Sequence, residues 1–551
     1  MNLFETHRAL LDEAMAAIST RGHWSPFPEM PSPKVYGDSA QADGQRAVLA
    51  LQGQDYPLQQ PGEQARVSTE RSPYGVRLDI RYPECAPEAL IAAAQAAEPA
   101  WQAQGPQGRV GVLLEALMRI HRRSHELAHA VMLTTGQGPM MAFQAGGPHA
   151  QDRALEAIAY AWKAMADVPA EALWEKPQGK NPPLVMKKRF EIVGRGVALV
   201  IGCATFPTWN TYPGLFAALA TGNPVIVKPH PNAVLPAALT VSILRDVLAE
   251  QGLDPNVVSL AISDKPEMTQ ALASHSAVTS IDFTGSNSFG RWLQDNARQA
   301  RVYAEMAGVN TVIIESTGQY AAMLRNIAFS LSLYSGQMCT TTQTILVPRD
   351  GIETDEGHKS FDQVGRDLAA AVTTLLSDPN VATAVLGAIG SRDTLERIAH
   401  ARSVGETVLE SRALRHPDFP DAQVRTPLIA AVGQADHEVY GEECFGPVSY
   451  LVAADSRDAA AMLAESIVRE HGALTLGAYS TDASYIDQLV ALSRRARVAL
   501  SINLTQGVYV NQSAAFSDYH ATGGNPAANA SYATLAFVAD RFVVVQRREH
   551  V

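Results

Sequence analysis

The apolar and polar positions of this chain change rhythm twice. The opening MNLFETHRALLDEAMAA repeats apolar residues at helical spacing and predicts a short amphipathic helix. HWSPFPEMPSPKVYG follows, with four prolines between Pro26 and Pro33 that favour an extended course over a surface. Trp24, Phe27 and Tyr36 give this arm apolar side chains with which to pack. From Ala86 the spacing is helical again, with Pro87 suited to a first turn. Leu113, Leu117, Ile120, Leu127 and Val131 predict one long helix from about Arg109 to a glycine cap at Gly136.

After about Val193 short apolar runs alternate with helices. GVALVIG, NPVIVKP, VVSLAIS and VTSIDFTG read as strands, while AVLPAALTVSILRDVLAEQG and KPEMTQALASH read as the helices between them. Such alternation predicts an α/β fold with a parallel sheet covered on both faces. A second α/β block runs from about Thr311 to Leu500. LVMKKRFEIV (184–193) and the terminal RFVVVQRRE read as exposed strands.

Composition narrows the picture. The 551 residues are 46% hydrophobic and 18% charged, a globular profile with room for several domains. The net charge of −12 argues against a general nucleic-acid binder. No apolar run approaches membrane-spanning length, and the start lacks the pattern of a secretory signal. Cys85, Cys203, Cys339 and Cys444 are scattered, so no structural disulfide or metal site is expected and a reducing cytoplasm suits the chain.

Candidate chemistry sits in short stretches. YSGQMCTTTQTILVP places Cys339 behind Gly336, where a thiol can be held for nucleophilic attack; a small buried hydrophobe is the other role open to it. YAEMAGVN puts Glu305 at a strand end, as a general base or a solvated carboxylate. IDFTGSNSFG is a strand-to-helix turn whose Gly285 and Ser286 suit a phosphate. Lys228 ends the strand PVIVK, and EECFGPV sets Glu443 and Phe445 beside a Gly446-Pro447 turn.

The order and spacing of these stretches, over roughly residues 70 to 550, resemble the aldehyde dehydrogenase superfamily. The family's successive motifs correspond to Thr205-Phe206-Pro207, Lys228-Pro229, Phe283-Thr284-Gly285-Ser286, Glu305-Met306-Ala307-Gly308, Gly336-Gln337-Met338-Cys339 and Glu443-Cys444-Phe445-Gly446-Pro447. The separation of Glu305 from Cys339 matches the family's. The proline-rich arm, SPYG at Ser72 to Gly75 and the DYHATGGNPAANASYATLAFVADRF ending look most like the PaaN branch, which acts in phenylacetic acid degradation.

The resemblance implies a Rossmann-type dinucleotide-binding domain, an α/β catalytic domain and a small oligomerisation β-sheet. The corresponding division is an arm at 1–65, a dinucleotide-binding domain at 66–308 with a bridging strand at 180–193, a catalytic domain at 309–505, and a C-terminal return with an oligomerisation strand at 506–551. It implies Cys339 as nucleophile, Glu305 as base, and Lys228, His230, Gly285, Ser286, Glu443 and Phe445 as cofactor-binding residues. A semialdehyde from aromatic-acid breakdown, possibly linked to coenzyme A, is the implied substrate, and a homodimer or tetramer the implied assembly. A coenzyme A-acylating enzyme and a catalytically weakened binding subunit are the alternatives.

Two departures from the family pattern stand out. Thr205 replaces the oxyanion-stabilising asparagine, since it keeps the separation from Lys228 and the following Phe-Pro; Asn210, further along, is the other candidate. A hydroxyl is a shorter donor than an amide, and losing a well-placed oxyanion donor costs roughly 10²–10³ in rate. Pro231 replaces a ribose-binding glutamate, which implies a preference for NADP with NAD still possible, His230 and Lys265 being candidate partners for the extra phosphate.

Overall fold

A computed structural model describes residues 2–306 and 308–551; Ala307, within the glutamate motif, lies outside the described residues. Five parallel strands form the first sheet, in the spatial order Val258–Leu260, Val225–Lys228, Val197–Ile201, Val278–Gly285 and Arg301–Met306. The central strand is buried along its whole length, which is why VALVI shows no alternation. Helices Thr211–Ala220, Leu235–Glu250, Pro266–Ser274 and Asn287–Asn296 connect these strands.

The second sheet has seven strands, in the order Glu406–Leu409, Leu428–Gly433, Val448–Ala454, Thr342–Pro348, Asn310–Ile314, Thr475–Tyr479 and Ala499–Ile502. All neighbours are parallel except the first pair. The chain leaves the carboxyl end of one sheet at Met306 and enters the amino end of the other at Asn310. Cys339 precedes Thr342–Pro348, and the Gly446-Pro447 turn precedes Val448–Ala454. A single cleft therefore lies between the carboxyl edge of the first sheet and the amino edge of the second. Carboxyl edges of parallel sheets are where ligands are received.

The chain then returns to this cleft. Residues of the 511–530 segment lie against both sheets: Thr340 Oγ1 donates to the Asn511 carbonyl at 2.8 Å, and Met306 N to the Ala527 carbonyl at 2.7 Å. Beyond it, Arg541 forms a buried two-pronged pair with Asp282 at 2.8 and 2.6 Å.

The proline-rich arm packs as its aromatic residues suggest. Phe27 is buried, Trp24 meets Phe516 edge-on, and Tyr36 packs against Phe143. The long helix expected from Arg109 to Gly136 is instead two helices, Gly105–Arg122 and Ser124–Thr135. The chain turns at Arg123, which leaves helical geometry and pairs with Glu126, while Ser124 Oγ bonds back to the His121 carbonyl at 2.7 Å. Apolar spacing continues across such a break, so periodicity alone misses it.

A third sheet stands apart from the core. Phe542–His550 pairs with Asn181–Gly194, which pairs with Glu171–Gln178. The last of these strands was not legible as one, because both its faces are largely exposed and EALWEKPQ carries no alternation. Val543, Val544 and Val545 are exposed on the terminal strand.

Candidate active site

The cleft brings Cys339 and Glu305 together. The loop before Cys339 is held in an unusual backbone state: Tyr334, Ser335 and Gly336 have φ of 54°, 49° and 65°. Left-handed non-glycine residues cost about 1 kcal/mol or more each, so surrounding bonds must hold them. Tyr334 Oη donates to the Thr135 carbonyl at 2.6 Å, and Ser335 Oγ to the Gly387 and Arg425 carbonyls at 3.0 Å. A Cβ on Gly336 would lie 2.3 Å from the Gly446 carbonyl oxygen, so only glycine lets the two active-site loops touch.

Glu305 ends its strand with 2% of its surface exposed. Its Oε2 lies 3.4 Å from Asn210 Nδ2 and 3.1 Å from His520 Nε2. Its Oε1 has no hydrogen-bond partner among the described residues. Burial pushes this carboxyl up, but His520, Cys339 and the Arg153 charge together hold it below its ordinary value. Burial, and then the Glu305 charge, push the Cys339 thiol well up. The pair thus rests as a thiol beside a carboxylate.

Thr205 lies in the loop that follows the central strand Val197–Ile201. Its carbonyl accepts from Gln137 Nε2 at 2.7 Å, and its hydroxyl lies at the Cys203 thiol. Asn210 accepts from Cys203 Sγ at 3.4 Å while its amide NH₂ turns to Glu305. Asn210, the other candidate for the oxyanion position, is thus in direct contact with Glu305.

The dinucleotide side contains Lys228, His230, Gly285 and Ser286 near the carboxyl edge of the first sheet. Lys228 Nζ is buried and bonded to the Pro229 and Ser263 carbonyls, and burial pushes its pKa down to about 8. Burial and the neighbouring Lys228 push His230 down to about 4, so it is neutral at physiological pH. Its Nδ1 accepts the Asn232 N–H at 3.2 Å. Lys265 lies 3.9 Å from Glu84, which also accepts from Ser263 Oγ at 2.8 Å. Ser286 caps helix Asn287–Asn296. Across the cleft, burial pushes Glu443 up to about 7, and among the described residues its Oε1 is buried without a partner. Phe445 accepts from Arg397 at its carbonyl, at 3.2 Å. A cation, a helix start and an orphaned carboxylate oxygen form a donor and acceptor set that fits a dinucleotide.

Sequence reasoning missed four residues around the site. His520 comes from the far end of the chain; its surrounding segment is unusual in composition, but nothing local announces its neighbour. Asn310 Nδ2 donates to the Cys339 and Thr341 carbonyls at 2.8 and 3.1 Å, and its Oδ1 accepts from Leu474 and Thr475 N at 3.0 and 3.1 Å. Arg153 and Glu156 form a buried pair at 3.1 Å; Glu156 also accepts from Arg21 of the arm and from Phe516 N.

A dinucleotide-type sheet facing a thiol and a carboxylate across one cleft defines a thiol-dependent oxidoreductase. The model of the aldehyde dehydrogenase family matches residues 82–538. The chain belongs to the aldehyde dehydrogenase family and is an aldehyde dehydrogenase. It is similar to a crystal structure of an NAD-dependent aldehyde dehydrogenase from Burkholderia multivorans, with 57% identity, a TM-score of 0.99, and coverage of 100% of this chain and 99% of that one. A 1-pyrroline-5-carboxylate dehydrogenase of Bacillus thuringiensis is 25% identical over 467 residues, 81% of this chain and 84% of the relative. The Thermus thermophilus 1-pyrroline-5-carboxylate dehydrogenase R100A mutant, 20% identical with a TM-score of 0.74 over 96% of this chain and 99% of that one, shares the fold. No helix among the described residues is long and apolar enough to cross a membrane.

Asn310→Ala is expected to leave two amides and two carbonyls unpaired in a buried place. The loss should be about 3 kcal/mol or more, read as a lower urea midpoint, together with faster alkylation of a loosened Cys339.

Proposed function

We propose that this enzyme oxidises an aldehyde to its carboxylic acid through a covalent intermediate on Cys339. The observation that carries this reading is the Cys339 thiol packed against the buried, ionised Glu305, one of whose oxygens is unpartnered. Glu305 takes the thiol proton as Cys339 Sγ attacks the carbonyl carbon, giving a thiohemiacetal. Bound nicotinamide supplies the hydride acceptor. The thioester left on Cys339 is then hydrolysed, with Glu305 taking a proton from the attacking water. A base at this place supports water rather than coenzyme A as the acyl acceptor. Asn210 and Thr205 border the carbonyl oxygen's side, and either supplies a donor there.

Lys228, Gly285, Ser286, Glu443 and Phe445 are the residues we assign to the dinucleotide, with His230 as a neutral wall. Pro231 permits a 2′-phosphate, the basis for expecting NADP. Three observations support NAD instead: His230 is uncharged, Lys265 is beside Glu84, and the 57%-identical Burkholderia multivorans enzyme is described as NAD-dependent. A semialdehyde of aromatic-acid catabolism, possibly coenzyme A-linked, is the substrate class we propose, on the resemblance to the PaaN branch. We also read the chain as a cytoplasmic homodimer or tetramer, assembled through the exposed three-stranded sheet, since open edge strands otherwise invite aggregation. A monomeric mass by light scattering at micromolar concentration, with full activity, would refute that assembly.

Purified enzyme is expected to produce acid from an aldehyde panel without coenzyme A; product formed only with coenzyme A would make it an acylating enzyme. Cys339→Ala should lower kcat by roughly 10⁴-fold or more with cofactor affinity nearly unchanged. Glu305→Gln should keep the amplitude of the first hydride burst, slow it, and lower steady-state turnover by roughly 10²–10⁴-fold.

For the cofactor, kcat/KM should favour NAD over NADP, and Pro231→Glu should widen the ratio. NAD affinity should be greatest between pH 7 and 8. The Glu443 carboxylate forms as pH rises through about 7, and the Lys228 ammonium is lost as it rises through about 8. Titration of fluorescence quenching across pH 6 to 9.5 checks this; a flat profile removes both residues from the site.

A further inference from the structure

The family's paired cysteine and glutamate do not account for His520. Its ring is 4% exposed, and its Nε2 lies 3.1 Å from Glu305 Oε2. The donor atoms of Glu305, Cys339 and His520 all fall within 4.8 Å of one another. The approach of Nε2 to Oε2 is off the line of a hydrogen bond, so among the described residues Nε2 is buried without a partner, as is Glu305 Oε1. Two buried polar atoms left open around one carboxylate are costly unless the reaction uses them.

The ring is held by a built support. Trp209 packs edge-on against it with centroids 4.6 Å apart, and the Arg153 guanidinium stacks over Trp209 at 4.7 Å. Arg153 donates to Ser513 Oγ at 3.0 Å, and Glu156 accepts from Phe516 N at 3.0 Å, so both ends of the segment leading to His520 are tied down. The Arg21 guanidinium lies 4.0 Å over the ring of Tyr519, the residue before it.

We propose that His520 is the proton-accepting and positioning partner of Glu305, making the site a Cys–Glu–His relay. Glu305 is two-ended: Oε1 faces the reaction unpartnered, and Oε2 faces the imidazole. A carboxylate that reaches a thiol through one oxygen and an imidazole nitrogen through the other is placed to pass a proton between them. In the first half-reaction the S–H bond of Cys339 breaks, its proton passes through Glu305 to His520, and the sulfur's electron pair forms the C–S bond to the aldehyde carbon. His520 then releases that proton to solvent, and in the second half-reaction a proton of the attacking water follows the same route as its oxygen bonds the acyl carbon. The C–S bond then breaks, the carboxylic acid leaves, and the proton returns through Glu305 to the departing sulfur. No further oxidant or reductant is consumed by these transfers.

The charged and titratable groups around His520 are Glu305 and Cys339 in front, Arg153 behind Trp209, and Tyr532, whose buried hydroxyl feels the charges of both Glu305 and Cys339. This inference rests on Cys339 and Glu305 acting as proposed above, but its test needs neither aldehyde nor cofactor.

Full-length wild type, His520→Gln and Glu305→Gln are compared in two assays: alkylation of Cys339 by iodoacetamide across pH 5.5 to 9.5, and hydrolysis of p-nitrophenyl acetate followed as acylation burst and steady-state deacylation. Gln keeps much of the bulk of the ring and removes its proton chemistry. His520→Gln is expected to slow deacylation by roughly 10–100-fold and to remove one inflection from the alkylation profile. The double variant should be no slower than Glu305→Gln alone, because both residues serve one path. If His520→Gln keeps the wild-type deacylation rate and inflection, or if its loss adds fully to that of Glu305→Gln, the relay is wrong. Should His520→Gln fail to fold, Trp209→Phe, which frees the ring without removing it, must itself alter the wild-type inflection; an unaltered profile would overturn the proposal. Absence of any aldehyde oxidation with these assays intact would count against the proposed substrate class and leave the relay standing.

Discussion

One buried amide holds this active site together. Asn310, 1% exposed, sits where the chain crosses from one sheet to the other. It grips the carbonyls of Cys339 and Thr341 with its nitrogen and the amides of Leu474 and Thr475 with its oxygen. Asparagine is suited to this because one planar group offers two donors and two acceptor lone pairs. The Cys339 loop is thereby fixed to the strand that begins just after Glu305. Without that link the left-handed run Tyr334-Ser335-Gly336 would have only its own side-chain bonds to resist relaxation. Preorganisation of this kind is what allows a thiol and a carboxylate on separate sheets to meet at reacting distance.

Electrostatics follow from that geometry. Cys339 and Glu305 are near enough that the carboxylate's charge opposes a second charge on sulfur, with Glu305 buried and Cys339 half-buried. The cleft tolerates one buried carboxylate because His520 and Asn210 surround its Oε2. Burying an unpaired charge would cost several kcal/mol. On the dinucleotide side the balance is different: Lys228, His230 and Glu443 are all shifted toward their neutral forms by burial. Such groups gain from a ligand that brings complementary charge or hydrogen bonds.

The C-terminal return makes the cleft a joint product of distant parts of the chain. It closes against the first sheet through Met306 and Asn529, against the second through Asn511, and against the arm through Trp24 and Arg21. The buried Asp282–Arg541 pair anchors its far end. An arm that looks like an appendage in sequence is thus part of the wall that supports the site, through Glu156 and Phe516.

The strands were legible in the sequence because buried parallel strands are short runs of β-branched residues, as in VALVI and PVIVK, and the helices because their apolar stripe has a fixed period. Cys339, Glu305 and Lys228 stood out as candidates through the order and spacing of motifs that resemble the family, while their immediate neighbours alone left a buried thiol and a solvated carboxylate equally open. The break at Arg123 was not, since a side-chain bond can stop a helix without altering its apolar rhythm. Glu171–Gln178 was not, since an exposed strand needs no apolar face. The sequence by itself determined the family and the order of the elements, because motif order and apolar pattern are carried along the chain. Only the tertiary structure decided that Cys339 and Glu305 share one cleft, that Asn210 touches Glu305, that His230 is neutral and that His520 faces Glu305. Those facts depend on burial and on contacts between segments hundreds of residues apart, for which local pattern carries no signal.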